Sequence, residues 1–200
     1  MPLRRQFVHT FCARNGLEIH VRPMSPADAP YLVDIFEHMS AESRYLRFNL
    51  PLRDPDPDWV RSQAERLAYL PPYEGRAWLA FADLPDAPET AVGGIRYMAL
   101  TPDSAEVALV VRDDLQALGI GSSLIEFAAK KAYSEGYRKL VGIIQSTNLP
   151  LWRSLKGLAI PMTTSRDGAA TVIEVDLEEA VLLRWRTIEM REPTDEDYDK

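Results

Sequence analysis

Apolar and polar positions divide the chain into short elements. LEIHVRP (17–23) alternates as a half-buried strand does and stops at Pro23. Ser25 then opens a helix through SPADAPYLVDIFEHMS. Ser25 caps it, Pro26 suits the first turn, and Asp28 stands where a capping box places an acid. Leu32, Ile35, Phe36 and Met39 recur at helical spacing and predict its buried stripe. AESRYLRFNLPLR (41–53) is assigned no element. DPDPDWVRSQAERLAYL (54–70) reads as a second helix, started by Asp56 and Pro57.

Strand periodicity returns in RAWLAFADL (76–84), AVGGIRYMAL (91–100) and SAEVALVV (104–111). The turns LPDAPET and TPDS between them predict an antiparallel meander. Residues 119–135 form a helix with Ile120, Leu124, Phe127, Ala128 and Ala132 on one face, and Gly136 ends it. KLVGIIQ (139–145) is a buried strand and 148–158 a short helix. PMTTS and ATVIEVDL form a hairpin about Arg166, Asp167 and Gly168. Residues 178–190 are read as helical, followed by an acidic tail. Residues 1–16 are read as an irregular arm packed on the domain or on a second copy. The order implies an α/β fold with a mixed, mostly antiparallel sheet. Within it, 104–111, 119–135 and 139–145 make a βαβ unit, whose crossover requires two parallel strands. The main domain is therefore 17–177, between the arm 1–16 and a C-terminal helix and tail, 178–200.

Composition then narrows the function. The 200 residues include 23 Lys plus Arg and 30 Asp plus Glu, a net charge of −7. An acidic chain without a basic cluster argues against nucleic acid and against an anionic membrane surface. Cys12 is the sole cysteine, so no intramolecular disulfide or cysteine-rich zinc site is expected. His9, His20 and His38 lack metal-ligand spacing, and no metal is expected. No apolar run approaches the ~20 residues of a membrane span, and the N-terminal segment does not read as a signal peptide. The expected compartment is the cytoplasm.

The chemistry is concentrated between Val111 and the helix at 119–135. Glycines at a strand-to-helix junction let backbone N–H groups turn toward an anion at a helix N-terminus. A Walker A loop fails, because Gly121-Ser122-Ser123 has no lysine, and a dinucleotide fingerprint fails at Leu124. Residues alone leave open a tight turn that needs glycine only for packing. Glu106 alternates with Ala108 and Val110, so its side chain leaves the strand on one face. A solvated glutamate at a strand start is the competing reading.

The pattern Gln-x-x-Gly-x-Gly (Gln116, Gly119, Gly121), between an apolar strand and an amphipathic helix, resembles the acetyl-CoA pyrophosphate loop of the GNAT N-acetyltransferases. The element order over roughly 17–177 is similar to that family's fold. Pro26, Ala29 and Leu32, the run Ser40–Phe48 and the run Ala105–Asp114 resemble bacterial protein lysine acetyltransferases in particular. The resemblance implies acetyl transfer from acetyl-CoA to a primary amine, foremost a protein lysine. A small-molecule amine or polyamine acceptor, or a non-catalytic acyl-CoA sensor, remain the alternatives.

The resemblance also implies roles. Amides of Leu118, Gly119, Ile120, Gly121 and Ser122 would hold the pyrophosphate, with Gln116 and Ala117 shaping the loop. Backbone of Leu109, Val110 and Val111 would pair with the pantetheine arm, and Asn148 would contact it from the far side. Glu106 stands where the general base is expected. A lysine ammonium, with an ordinary pKa of about 10.4, must lose a proton before attacking a thioester, and a carboxylate can accept it. Arg44, Tyr45 and Arg47 are candidates to line the acceptor cleft. The chain departs from the family pattern in having no tyrosine within 148–158, where Leu155 stands in that neighbourhood. It also has Leu158-Ala159-Ile160 for the usual Leu-Gly-Phe, and Pro150 soon after Asn148. Protonation of the leaving thiolate would then fall to water. Trp152 and Trp185 read as packing residues, and the arm with helix 178–190 could pair across a homodimer.

Overall fold

The computed structural model describes residues 7–158 and 160–180. Its strands are β1 (His9–Cys12), β2 (Glu18–Pro23), β3 (Gly75–Leu84), β4 (Ala87–Thr101), β5 (Ser104–Val111), β6 (Lys139–Gln145), β7 (Met162–Asp167) and β8 (Ala170–Asp176). The helices are α1 (Ala29–Glu37), α2 (Ala41–Phe48), α3 (Pro57–Ala68), α4 (Ile120–Ser134), α5 (Leu149–Leu158) and α6 (Leu177–Ala180). The strands form one sheet in the order β1-β2-β3-β4-β5-β6-β8-β7. Among the described strands only β5 and β6 run parallel, joined by the α4 crossover as the βαβ reading requires. Every other neighbouring pair is antiparallel, including the meander β3-β4-β5.

The sheet is covered on both faces. On one, α4 lays Leu124, Phe127 and Ala128 against Trp78, Ile95 and Tyr97 of the central strands, and α5 adds Leu155 and Leu158. On the other, Ile35 of α1 packs on Leu79 and Phe81. There α3 meets α1 through Ala29, Ala64 and Ala68, whose small side chains allow close approach. Burying each large apolar side chain contributes roughly 1.5–3 kcal/mol, so the two faces hold the central strands firmly. Among the described residues no helix is long and apolar enough to cross a membrane.

Capping follows the sequence closely. Asp56 accepts the Asp58 and Trp59 amides at 2.8 and 2.9 Å and starts α3. The Ser25 amide donates to Asp28 at 2.7 Å, which sets the turn leading into α1. Gly136 has φ +103 just past α4, and Gly168 turns the β7–β8 hairpin at φ +58.

Two expectations are corrected. Residues 1–16 are not wholly irregular, because His9–Cys12 pairs with β2 and covers its outer edge. Four residues are too few to show a periodicity, and the pairing satisfies backbone groups that β2 would otherwise expose. The stretch left unassigned contains α2, capped by Ser40, whose Oγ accepts the Ser43 amide at 3.1 Å, and ended by Asn49 at φ +55. No residue of α2 is fully buried, so it has no apolar stripe to read. Of the helix expected at 178–190, α6 covers only the first residues. The remainder, with Trp185, residues 1–6 and the acidic tail, lies outside the described residues.

Candidate active site

The central feature of the sheet is a pair of strands that part. Register between β5 and β6 runs Ser104 to Lys139, Ala105 to Leu140 and Glu106 to Val141, and ends there. Beyond Glu106, β5 continues to Val111 paired only with β4, while β6 continues to Gln145 paired only with β8. The backbone groups of β5 between Val107 and Val111 that are not bonded to β4, those of alternate residues, therefore face a wedge rather than a strand. An extended ligand with amides of its own can add to such an edge.

At the open end of the wedge, β5 leads into a tightly held loop. Arg112 is buried, and its guanidinium reaches Asp114 at 2.9 Å and Asp34 of α1 at 3.4 Å. A hydrogen bond from Arg112 holds the Asp114 carboxyl below its ordinary range, against a smaller opposing effect of burial. Asp113 accepts the Ser40 amide and the Gln116 Nε2 group, both at 2.9 Å. Gln116 also donates to the Val111 carbonyl at 3.4 Å. Its amide thus clamps the loop across its base instead of pointing into the wedge.

After the clamp, Ala117 at φ +62 and Gly119 at φ +86 turn the chain into α4. Among the described residues no side chain caps that helix, so its first amides remain available to an anion. A Cβ on Gly121 would lie 3.3 Å from Leu109 Cδ2 and 3.9 Å from Ser154 Oγ. Gly121 therefore forms the floor where α4, α5 and β5 converge. Ser122 Oγ donates to the Ser154 carbonyl at 3.3 Å and holds α5 there.

Arg14 is a neighbour the sequence reading missed. Its amide donates to the Leu118 carbonyl at 2.9 Å, and its Nη1 reaches the Ala117 carbonyl at 3.5 Å. Its exposed cationic side chain thus lies along the glycine loop. No sequence signal could have linked positions 103 residues apart. Asn148 stands at the corner between β6 and α5, and its Oδ1 accepts the Leu151 amide at 3.1 Å as a helix cap. Leu155 is buried in the α4-side core, and Trp152 packs half-buried against it.

The opposite face of the wedge carries the charged groups. Cross-strand partners Met98–Glu106, Arg96–Ala108 and Gly94–Val110 point to the α1–α2 face. There a small, mostly apolar pocket is lined by Phe36, Phe48, Ala108 and Val110 and by the two arginines Arg47 and Arg96. Helix α2 reaches across the wedge, and Gln145 Nε2 of β6 donates to Asn49 Oδ1 at 2.7 Å. Burial pushes the Arg47 guanidinium down to about 10, with the Arg96 charge adding to it and Glu106 opposing. Burial also lowers Arg96, again against Glu106. Arg47 therefore stays cationic at neutral pH.

Of the three proposed cleft residues, only Arg47 lines this pocket. Arg44 instead stacks on Phe36 at 4.1 Å and donates to the Phe36 carbonyl at 3.2 Å, which joins α2 to α1. Tyr45 is exposed on the surface.

With this geometry in hand, the comparisons are specific. A family profile described as the acetyltransferase (GNAT) family matches residues 35–158. The GNAT domain of S. lividans PAT is similar at 25% identity and TM-score 0.71, over 84% of this chain and 96% of that one. An N-acetyltransferase (paia) of Thermoplasma acidophilum, solved with coenzyme A, shares the fold at 17% identity and TM-score 0.56, over 79% and 98%. A cAMP-binding acyltransferase of Mycobacterium smegmatis shares it at 22% identity and TM-score 0.54, over 84% of this chain but 46% of that one.

Proposed function

This chain belongs to the acetyltransferase (GNAT) family, and from that premise we propose that it transfers acetyl from acetyl-CoA to a protein lysine, with Glu106 as general base. The observation that carries this reading is the wedge itself. Loop amides lie at one end of β5, unpaired backbone runs along its middle, and Glu106 stands at the last paired position.

In this reading the amides of Leu118 to Ser122 bind the pyrophosphate, assisted by the partial positive charge of the α4 N-terminus. The glycine floor at Gly121 admits the phosphates, and Gln116 keeps the loop in shape from behind. Backbone of Leu109 to Val111 pairs with the pantetheine amides, while Asn148 borders the far side. A β5 amide near the parting point donates to the thioester carbonyl and stabilises the oxyanion that forms there. Glu106 accepts the proton of the lysine ammonium, directly or through a water, so that the neutral amine attacks. The body that does this is residues 17–177, with 1–16 contributing Arg14 at the loop.

The resemblance of Ser40–Phe48 to bacterial protein lysine acetyltransferases, and the likeness to the S. lividans GNAT domain, support a lysine acceptor. The test is acetyl-CoA turnover against lysine-bearing proteins and against free polyamines. CoA release that depends on protein lysine is the expected result. Turnover with polyamines alone would replace the acceptor, and CoA binding without turnover on any amine would sink the catalytic assignment.

A further inference from the structure

We propose that Arg47 and Arg96 form a carboxylate-recognition subsite beside Glu106, so that the preferred acceptor amine carries a carboxylate close to it. The inference rests on the acetyl-transfer reading and specifies which acceptors that site accepts.

Glu106 and Arg96 are diagonal neighbours on adjacent strands, since Arg96 faces Ala108 and Glu106 faces Met98. Long side chains at such positions reach one another. Arg47 descends from α2 onto the same spot, and the Asn49–Gln145 hydrogen bond holds that end of α2 over the wedge. The surrounding wall is apolar, built from Met24, Leu32, Ile35, Phe36 and Phe48.

Two guanidiniums and one carboxylate leave an excess positive charge in this apolar setting. Among the described residues, Arg47 Nε is buried without a hydrogen-bond partner. Both side chains are half-buried, and the Arg47 guanidinium stands over the Phe48 ring at 5.3 Å. A partly desolvated cation gains from a bonded counter-charge, which a bound anion can supply. Burial, with the Arg96 charge adding to it, lowers the affinity of Arg47 for its proton, burial alone lowers that of Arg96, and one bound anion relieves both. Planar guanidinium forks suit a planar carboxylate, which they can bind through two parallel hydrogen bonds. Glu106 then takes the amine end and the arginines the acid end. Such an acid can come from an Asp or Glu side chain next to the acceptor lysine in a peptide. It can also be the α-carboxylate of a free amino acid.

Two substrate pairs separate these sources. Capped peptides with lysine flanked by Glu or by Gln test the side chain, and free lysine against lysinamide tests the α-carboxylate. The wild-type protein is expected to favour the acid member of one pair by about 10- to 100-fold in kcat/KM. The pair that responds identifies the source. Arg96→Gln and Arg47→Gln should each bring that ratio near one, while Arg47→Lys keeps part of it. Equal kcat/KM within both pairs for the wild type overturns the subsite without any variant needing to fold. So does a ratio that survives both Gln substitutions, or a preference for a dicarboxylic acyl-CoA with none among acceptors. Calorimetry of the CoA-saturated protein with the same compounds reads the subsite without turnover. Tighter binding of the Glu peptide with no acetylation would keep the subsite and remove the lysine reading. Equal binding with efficient acetylation would do the reverse.

Discussion

Two arginine clusters sit on the same face of the same sheet and are treated in opposite ways. Arg22 on β2 is held by Asp28 through two bonds of 2.7 Å, and a third of 3.0 Å goes to the Pro23 carbonyl. Its guanidinium lies over the Phe81 ring at 4.6 Å, in the α1 layer. Among the described residues its Nε has no partner. Arg47 and Arg96, across the sheet at the wedge, have Glu106 nearby but, among the described residues, no carboxylate within hydrogen-bonding distance. The first cluster is closed and structural, joining β2 to the turn that starts α1. The second is open, at the place where β5 and β6 separate. A charge bonded to a carboxylate stabilises the architecture, whereas one without such a bond is available to a ligand.

The comparison can be broken by substitution. The largest effect is expected at Glu106, where Glu106→Gln should lower kcat by about 10²–10⁴-fold. The KM for acetyl-CoA should barely move, because the phosphates are expected to bind a loop at the far end of β5. Raising the pH should restore part of the rate, as free amine appears without assistance. Steady-state kinetics across pH measures this, and near wild-type kcat in a folded variant would remove Glu106 from the mechanism.

Asp28→Asn should act oppositely, on stability and not on acetyl-CoA affinity. Removing one partner of a buried ion pair typically costs about 3–5 kcal/mol. Denaturant unfolding would measure the loss. Burial alone would raise the Asp28 carboxyl, but Arg22 and the Ser25 amide outweigh it and hold it below its ordinary 3.8. A group whose pKa is depressed by folding stabilises the fold above the unfolded value and loses that contribution as pH falls through the folded one. The wild-type advantage over Asp28→Asn should therefore be full above about pH 5 and shrink progressively below pH 4. A gap that stays constant to pH 2 would contradict the ion-pair account.

Smaller effects are expected at the loop. Gly121→Val places side-chain atoms between Leu109 and Ser154 and should weaken CoA binding by about 100-fold, equivalent to roughly 2.7 kcal/mol, with the fold retained. Unchanged affinity by calorimetry would overturn the loop assignment. Arg14→Ala should raise the KM for acetyl-CoA by about 3- to 10-fold, with a shallower salt dependence, because one exposed cation beside the phosphates is lost. A KM that does not respond would leave Arg14 a purely structural neighbour of the loop.

Local signals carried much of this far. Ser25, Asp28 and Asp56 marked helix starts, Gly136 and Gly168 marked turns, and the meander and crossover followed from periodicity and loop length. Gln116, Gly119 and Gly121 were legible because a glycine turn at a strand-to-helix junction has a short-range pattern. β1 and α2 were not legible, one being too short for a period and the other lacking a buried stripe.

What the sequence by itself determined was most of the elements, their order, and the glycine loop, since each depends on residues close along the chain. The tertiary structure alone decided where β5 and β6 part, that Arg14 lies beside a loop 103 residues away, and that Arg22 is neutralised while Arg47 and Arg96 are not. Those outcomes depend on which distant side chains a packed core brings together and which it leaves unpaired. No local propensity encodes that choice. It is made when the sheet closes on both faces and the wedge stays open.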